Sequence, residues 1–241
     1  MDTMRKAFWL AKLELDVSKK HYLLLLLIAG IYTFFFYLTM PPYLEENIFL
    51  LDAFLIIYVG SLAFSIKPKN FQYQKLDDGL YASPYFAMLN QLPIKRNVLV
   101  ASRFILPYLS IFIGITIVLV GTYIFSTDLR EAIEPLPMIA LIITWLCISF
   151  SIGGIFPASD PGDQIKRFTF FWSYMIIIVF FVGMYLIFQV WLDTGFFKWT
   201  IQMANDFTIL SIIVSILIAC LVTWYWFNHA KKQIQKNDYL Q

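Results

Sequence analysis

Few side chains in this sequence could do chemistry, and most of them stand in apolar surroundings. Glu45 and Glu46 are adjacent carboxylates that could activate a water, but a catalytic glutamate pair of that kind places an arginine four positions on, and position 50 is leucine. Asp52 is the one acidic residue inside an apolar run, about a helical turn from its end. A hydrated carboxylate at a membrane surface is expected there, with a substrate contact as the sharper alternative. Cys147 and Cys220 both lie within apolar runs, where a free thiol behaves as a small hydrophobe, so neither a disulfide nor a metal site is implied. His21 and His229 sit beside lysines at the ends of such runs, which suits an interfacial role better than ligation. The chain contains no HExxH, no nucleophile elbow and no GxxxxGK[ST]. It is therefore expected to be neither an enzyme nor its own ATPase, and to bind no cofactor or metal.

The elements that must carry these residues are set by composition. The 241 residues are 60% hydrophobic and only 14% charged, with 24 Phe, and mean hydropathy is +0.70. A single water-soluble core cannot hide that much apolar surface, so lipid must solvate much of it. Six runs approach the roughly 20 residues that a helix needs to cross a ~30 Å slab: Tyr22 to Met40, Ile48 to Ile66, Phe104 to Phe125, Met138 to Phe156, Phe168 to Leu192 and Phe207 to Phe227. Continuous apolar character favours helices over barrel strands, which alternate and stop sooner. The first run is not read as a signal peptide, because it is long, begins late and lacks an A-x-A site.

Basic residues orient the spans. Of 18 Lys and Arg, only Arg130 and Lys198 fall on one side of this arrangement; Arg5 to Lys20, Lys67 to Arg103, Lys166, Arg167 and Lys231 to Lys236 fall on the other. Both termini are therefore expected in the cytoplasm. A net charge of +2 gives no reason to expect nucleic acid. Residues 1–21 form an amphipathic pattern, with Met4, Ala7, Phe8, Ala11 and Leu15 on one face and Arg5, Lys12, Asp16 and Lys19 opposite, although Glu14 intrudes near the apolar arc. The expectation is a helix lying along the inner leaflet; a soluble helix packed on a partner is the alternative.

The outer connections PPYLEEN and STDLREAIEPLP read as plain turns, and Leu192 to Phe207 as a short aromatic segment dipping back toward the interface. On the inner side, Pro157 to Arg167 reads as a tight turn. The remaining inner connection, Lys67 to Arg103, is far longer than neighbouring helices need, which marks a loop with structure or function of its own. Within it, Ser83 can cap a helix whose first turn begins at Pro84, and Pro93 discourages continuation. The resulting short helix would present Tyr85, Phe86, Met88 and Leu89, a pattern that fits a knob for a groove on another protein or a helix lying on lipid equally well.

The stretch that follows, NQLPIKRNVLVASRF, resembles a segment of bacterial ATP-binding cassette permeases of the type-two class. The likeness falls on Leu92, Pro93, Ile94, Arg96, Val100 and Arg103 and departs at Lys95, where a small hydroxyl residue is usual. The N-terminal amphipathic helix, six spans, long first inner loop and aromatic segment before the last span are similar to that class as well, so the resemblance covers loosely the whole chain. It implies a single all-α permease domain: an interfacial helix (1–21), spans one and two (22–66), a coupling loop (67–103), spans three to six (104–227) and a cytoplasmic tail (228–241). Tyr85, Phe86, Met88 and Leu89, with Lys95 and Arg96 nearby, would dock into a separate ATPase subunit that binds ATP and magnesium, and Met4, Phe8, Lys12, Leu15 and Lys19 would hold the interfacial helix to lipid. The implied assembly pairs two permease chains, identical or paralogous, in the bacterial cytoplasmic membrane for export of hydrophobic or amphipathic cargo, a membrane-active peptide foremost. A non-transporting scaffold that binds an ATPase, and an intramembrane enzyme, are the competing classes.

Overall fold

The structure of this chain, a computed structural model, describes residues 2–63, 67–77, 80–164 and 167–236. Helix α1 (Asp2–Glu46) is one unbroken rod of 45 residues. No glycine or proline lies between Asp2 and Ala29, and the stretch is rich in strong helix formers, so nothing stops the helix at the lipid boundary. At 1.5 Å per residue it is about 68 Å long, more than twice the thickness of a hydrocarbon core. The separate interfacial helix expected over residues 1–21 is thus replaced by the first turns of the spanning helix itself.

α2 (Phe49–Leu62) has only 14 residues, about 21 Å of helix. It occupies part of the expected span Ile48 to Ile66, of which positions 64–66 lie outside the described residues. A single 3₁₀ turn (Lys69–Phe71), strands β1 (Gln74–Asp77) and β2 (Leu80–Ala82) and the short helix α3 (Pro84–Asn90) follow. Next come α4 (Arg96–Phe125), α5 (Thr127–Ala132), α6 (Pro135–Gly153), α7 (Ile155–Ser159) and strand β3 (Asp163–Gln164). α8 (Arg167–Tyr185) passes into a π-helical stretch (Leu186–Trp191), and α9 (Phe196–Asp206) and α10 (Thr208–Lys236) complete the chain. Among the described residues, five helices are long and apolar enough to cross a membrane, starting at Thr3, Arg96, Pro135, Phe171 and Thr208. They correspond to five of the six expected spans, with α2 the exception.

The purely helical expectation is corrected in one place. β1, β2 and β3 form an antiparallel sheet in that order, joining the long loop to the turn after α7. Gly162 makes the approach possible: its φ is +87°, and a Cβ there would stand 2.6 Å from the Tyr81 carbonyl oxygen. The segment expected to be a plain outer turn before α6 also carries structure, since Ser126 caps α5 through the Leu129 N–H at 3.2 Å.

Two apolar cores stack along the rods. The larger joins Phe36, Met40 and Tyr43 of α1 to Leu55 and Tyr58 of α2, Ile111 of α4, Trp145 of α6 and Phe197 of α9. The second lies at the end that holds the N-terminus, where Ala7 and Leu10 of α1 pack with Phe86 and Leu89 of α3, Val98 to Ala101 of α4, Ala158 of α7, and Ala230 and Ile234 of α10. α1 and α4 run parallel and almost in register: Glu14 lies against Arg103, and farther along Thr33 lies against Gly121. α8 is apolar around its whole circumference and almost wholly exposed, which suits a helix solvated by lipid.

Candidate functional site

The expected short helix forms as its sequence dictates. Ser83 Oγ accepts from the Phe86 N–H at 3.4 Å and Pro84 occupies the first turn, so the missing proline N–H costs nothing. The same hydroxyl donates to the Phe71 carbonyl at 3.2 Å, fixing the helix start to the 3₁₀ turn. The six residues assigned to docking divide by environment. Phe86 and Leu89 are buried in the second core, Tyr85 is half-buried, and Met88 is 53% exposed; Lys95 and Arg96, beyond the helix, are exposed too. Lys95 occupies the N-cap of α4 without a side-chain cap, and its carbonyl accepts from Val98 and Leu99. On α1, Met4 and Phe8 are exposed, Leu15 is half-buried, Lys12 is exposed, and Lys19 pairs with Asp16 at 2.9 Å.

Beneath α3 sits a cluster of four buried charges from four parts of the chain. Arg103 of α4, 2% exposed, gives Nη1 to Glu14 Oε2 at 2.6 Å and Nε to Asp160 Oδ2 at 2.7 Å. Lys67 Nζ reaches both oxygens of Asp160 at 2.9 Å. The Tyr85 ring covers the guanidinium at 5.4 Å, a cation–π contact shielded from water. Burial pulls the Lys67 amine below its ordinary pKa while the Asp160 carboxylate pushes it back up. Two acids and two bases leave the cluster neutral, and removing any one member strands another charge at a cost of about 3–5 kcal/mol. From sequence, Arg103 reads as the last residue of the coupling loop and Asp160 as part of a tight turn. The visible signal was Glu14, a carboxylate on an apolar face.

At the opposite end of the bundle lies a second buried centre. Asp52 is fully buried rather than hydrated: its carboxylate accepts from Tyr43 Oη at 2.7 Å, from Phe196 N–H at 2.8 Å and from Phe197 N–H at 2.9 Å. α9 begins after Gly195 with no side-chain cap of its own, so Asp52 supplies the cap from another helix. Tyr43 Oη in turn accepts from Lys198 N–H at 3.1 Å, and Lys198 Nζ donates to the Leu44 carbonyl at 2.7 Å. The aromatic segment expected before the last span is this helix. Phe197 packs against Trp145, whose indole N–H donates to Thr200 Oγ1 at 3.0 Å. Since Asp52 lies in this centre and Lys67 in the four-charge cluster, the chain passes from one end of the bundle to the other between them.

Between α6, α9 and α10 a groove of about 470 Å³ opens on the side of the bundle, lined by Thr144, Cys147, Trp199, Met203, Leu210 and Val214 among others. Its hydroxyls are turned to the protein: Ser151 donates to the Cys147 carbonyl, Ser211 to the Thr208 carbonyl and Ser215 to Thr144 Oγ1. The wall so presented is apolar and uncharged. Among the described residues no group of three or more His, Cys, Asp and Glu side chains is placed to hold a metal ion. No protein-family model, curated protein or solved structure matches this chain.

Proposed function

We propose that this chain is the membrane-spanning permease subunit of an ATP-binding cassette exporter of the type-two class, driven by a separate ATPase that binds ATP and magnesium. The observation that carries the reading is α3: a capped, proline-bounded helix at the basic end of the bundle, with Met88 facing outward and Leu92, Lys95 and Arg96 exposed just beyond it. An exposed apolar side chain on a short capped helix, with basic residues exposed farther along the chain, suits docking into a groove on another protein. In this reading the five long apolar helices are joined by α2 as a sixth, shorter crossing between the two buried centres, and both termini lie in the cytoplasm of a bacterial cell. The bare flanks of α8 and α10 suit lipid and a second permease chain. The uncharged groove between α6, α9 and α10 suits hydrophobic or amphipathic cargo, a membrane-active peptide foremost.

The division of α3 into inward and outward side chains sharpens the experiment. The protein is purified from its native membrane and tested for a co-purifying nucleotide-binding subunit. Met88→Asp, at an exposed position, is expected to reduce that association about tenfold or more with the bundle still folded, the scale of losing one apolar anchor. Phe86→Asp is expected to disrupt the second core instead, and so reports on folding rather than docking. Full association of Met88→Asp, or a parent protein that never brings down an ATPase, counts against the proposal. A non-transporting scaffold would keep the association and show no effect on resistance to any exported compound.

A further inference from the structure

The four-charge cluster makes a demand that docking alone does not explain. Its members come from α1, the loop after α2, α4 and the end of α7, and a buried ionic cluster of this kind contributes less to stability than apolar side chains of the same volume would. What it supplies is a fixed relation between the elements it joins. Two of its members also hold α3: the Asp160 carbonyl accepts from the Ser83 N–H at 3.1 Å, at the cap of the short helix, and the Arg103 guanidinium lies under Tyr85. The cluster thus grips the start of α3 with one hand and Glu14 of α1 with the other, while Phe86 and Leu89 share a core with Ala7 and Leu10.

We propose that the Glu14–Arg103–Asp160 chain is a mechanical link that makes the N-terminal segment of α1 move with α3 as one body, so that this segment acts as a lever on the first spanning helix. The lever has no joint of its own. From Asp2 the helix meets neither glycine nor proline before Gly30, which lies well inside the apolar run, so a tilt imposed near Glu14 enters the membrane undiminished. Arg103 and Glu14 are positioning residues in this scheme. They touch neither cargo nor ATPase.

The role in transport rests on the permease reading, but the link is tested on this chain alone. Spin labels are placed at Leu13→Cys and Met88→Cys, both exposed positions, with Cys147 and Cys220 changed to serine, and the full chain is measured in lipid nanodiscs by double electron–electron resonance. The parent is expected to give one narrow distance distribution. Glu14→Gln is expected to broaden it about twofold as a local unit is released. Glu14→Gln with Lys67→Met removes one charge of each sign and leaves Arg103 paired with Asp160, so equal broadening in this double variant assigns the effect to the lost link and not to stranded charge. A double variant as narrow as the parent overturns the proposal. In membranes that hold the ATPase, the double variant is further expected to keep the association and lose cargo export about tenfold, within the range of coupling energies between sites. Undiminished export in a protein whose distribution has broadened likewise refutes the lever. If no ATPase accompanies the parent, the permease reading fails while the resonance result still decides the link.

Discussion

Removing the carboxylate of Asp52 should free the start of α9 without disturbing the other end of the molecule. Three donors converge on that carboxylate, at 2.7, 2.8 and 2.9 Å. Asp52→Ala leaves all three without a partner, and each bare buried donor costs about 1–3 kcal/mol. Phe196 is only half-buried, so water can reach part of the site, and Tyr43 can turn to other acceptors. The expected total is therefore about 3–5 kcal/mol rather than the full sum of three. Asp52→Asn keeps one oxygen and turns an NH2 toward the same donors, so at least one stays unpaired and about 1–3 kcal/mol is lost. Hydrogen exchange read on the peptide that holds Phe196 and Phe197 measures this directly. A loss of about 2 kcal/mol in local opening speeds exchange about 30-fold. A peptide covering α3 and the start of α4 serves as the control, since it belongs to the other core. Unchanged protection at Phe196 and Phe197 in Asp52→Ala would show that α9 is held by its packing on Trp145 alone. Equal loss in the control would show that the effect is global unfolding. Either outcome refutes the idea of a cap supplied from another helix.

Gly195→Ala places a Cβ in clash with Tyr43 Oη, so the tyrosine must leave its contacts with Asp52 and Lys198; a fall in melting temperature on the scale of Asp52→Asn is expected, and an unchanged one would mean that Tyr43 is free to move. Burial raises the pKa of the Asp163 carboxyl in β3 above its ordinary 3.8. A raised carboxyl contributes stability that is present below 3.8 and lost as pH climbs through the folded value, so Asp163→Asn should raise the melting temperature at pH 7 and show no advantage over the parent below the ordinary value; a gap that persists in acid would refute the assignment.

How far each feature was legible in the sequence depends on whether its determinants are local. Ser83, Pro84 and Pro93 act on their own backbone: α3 begins at Pro84 as the first two require and ends at Asn90, three residues before Pro93. Runs of apolar residues set the positions of five spans for the same reason. The end of α1 is the instructive failure. Its amphipathic pattern was plain, but a pattern gives the direction of a face and not what covers it: Met4 and Phe8 are exposed while Ala7, Leu10 and Glu14 are buried. The unbroken course of α1 into the membrane was local information as well, written in the absence of any glycine or proline from Asp2 to Ala29. The basic residues near the lipid boundary, which favour headgroups, outweighed that signal in the reading.

The two buried centres could not be found by position alone, because each consists of groups that are anomalous singly and satisfied only together. Glu14 is a carboxylate on an apolar face, Asp52 a carboxylate in an apolar run, and α9 a helix whose N-cap glycine offers it no side chain. Each anomaly signals an unmet electrostatic demand. A sequence states the demand, whereas the partner that meets it lies far off along the chain: Arg103 for Glu14, and the first N–H groups of α9 for Asp52. The pairing follows once ends of the bundle are matched, since Glu14 and Arg103 lie near the starts of parallel rods and Asp52 and α9 share the opposite end. Charge in an apolar helix is costly enough that it must be answered at the same depth. Sorting lone charges and uncapped helix ends by depth, before asking what each might catalyse, would have joined both centres from the sequence.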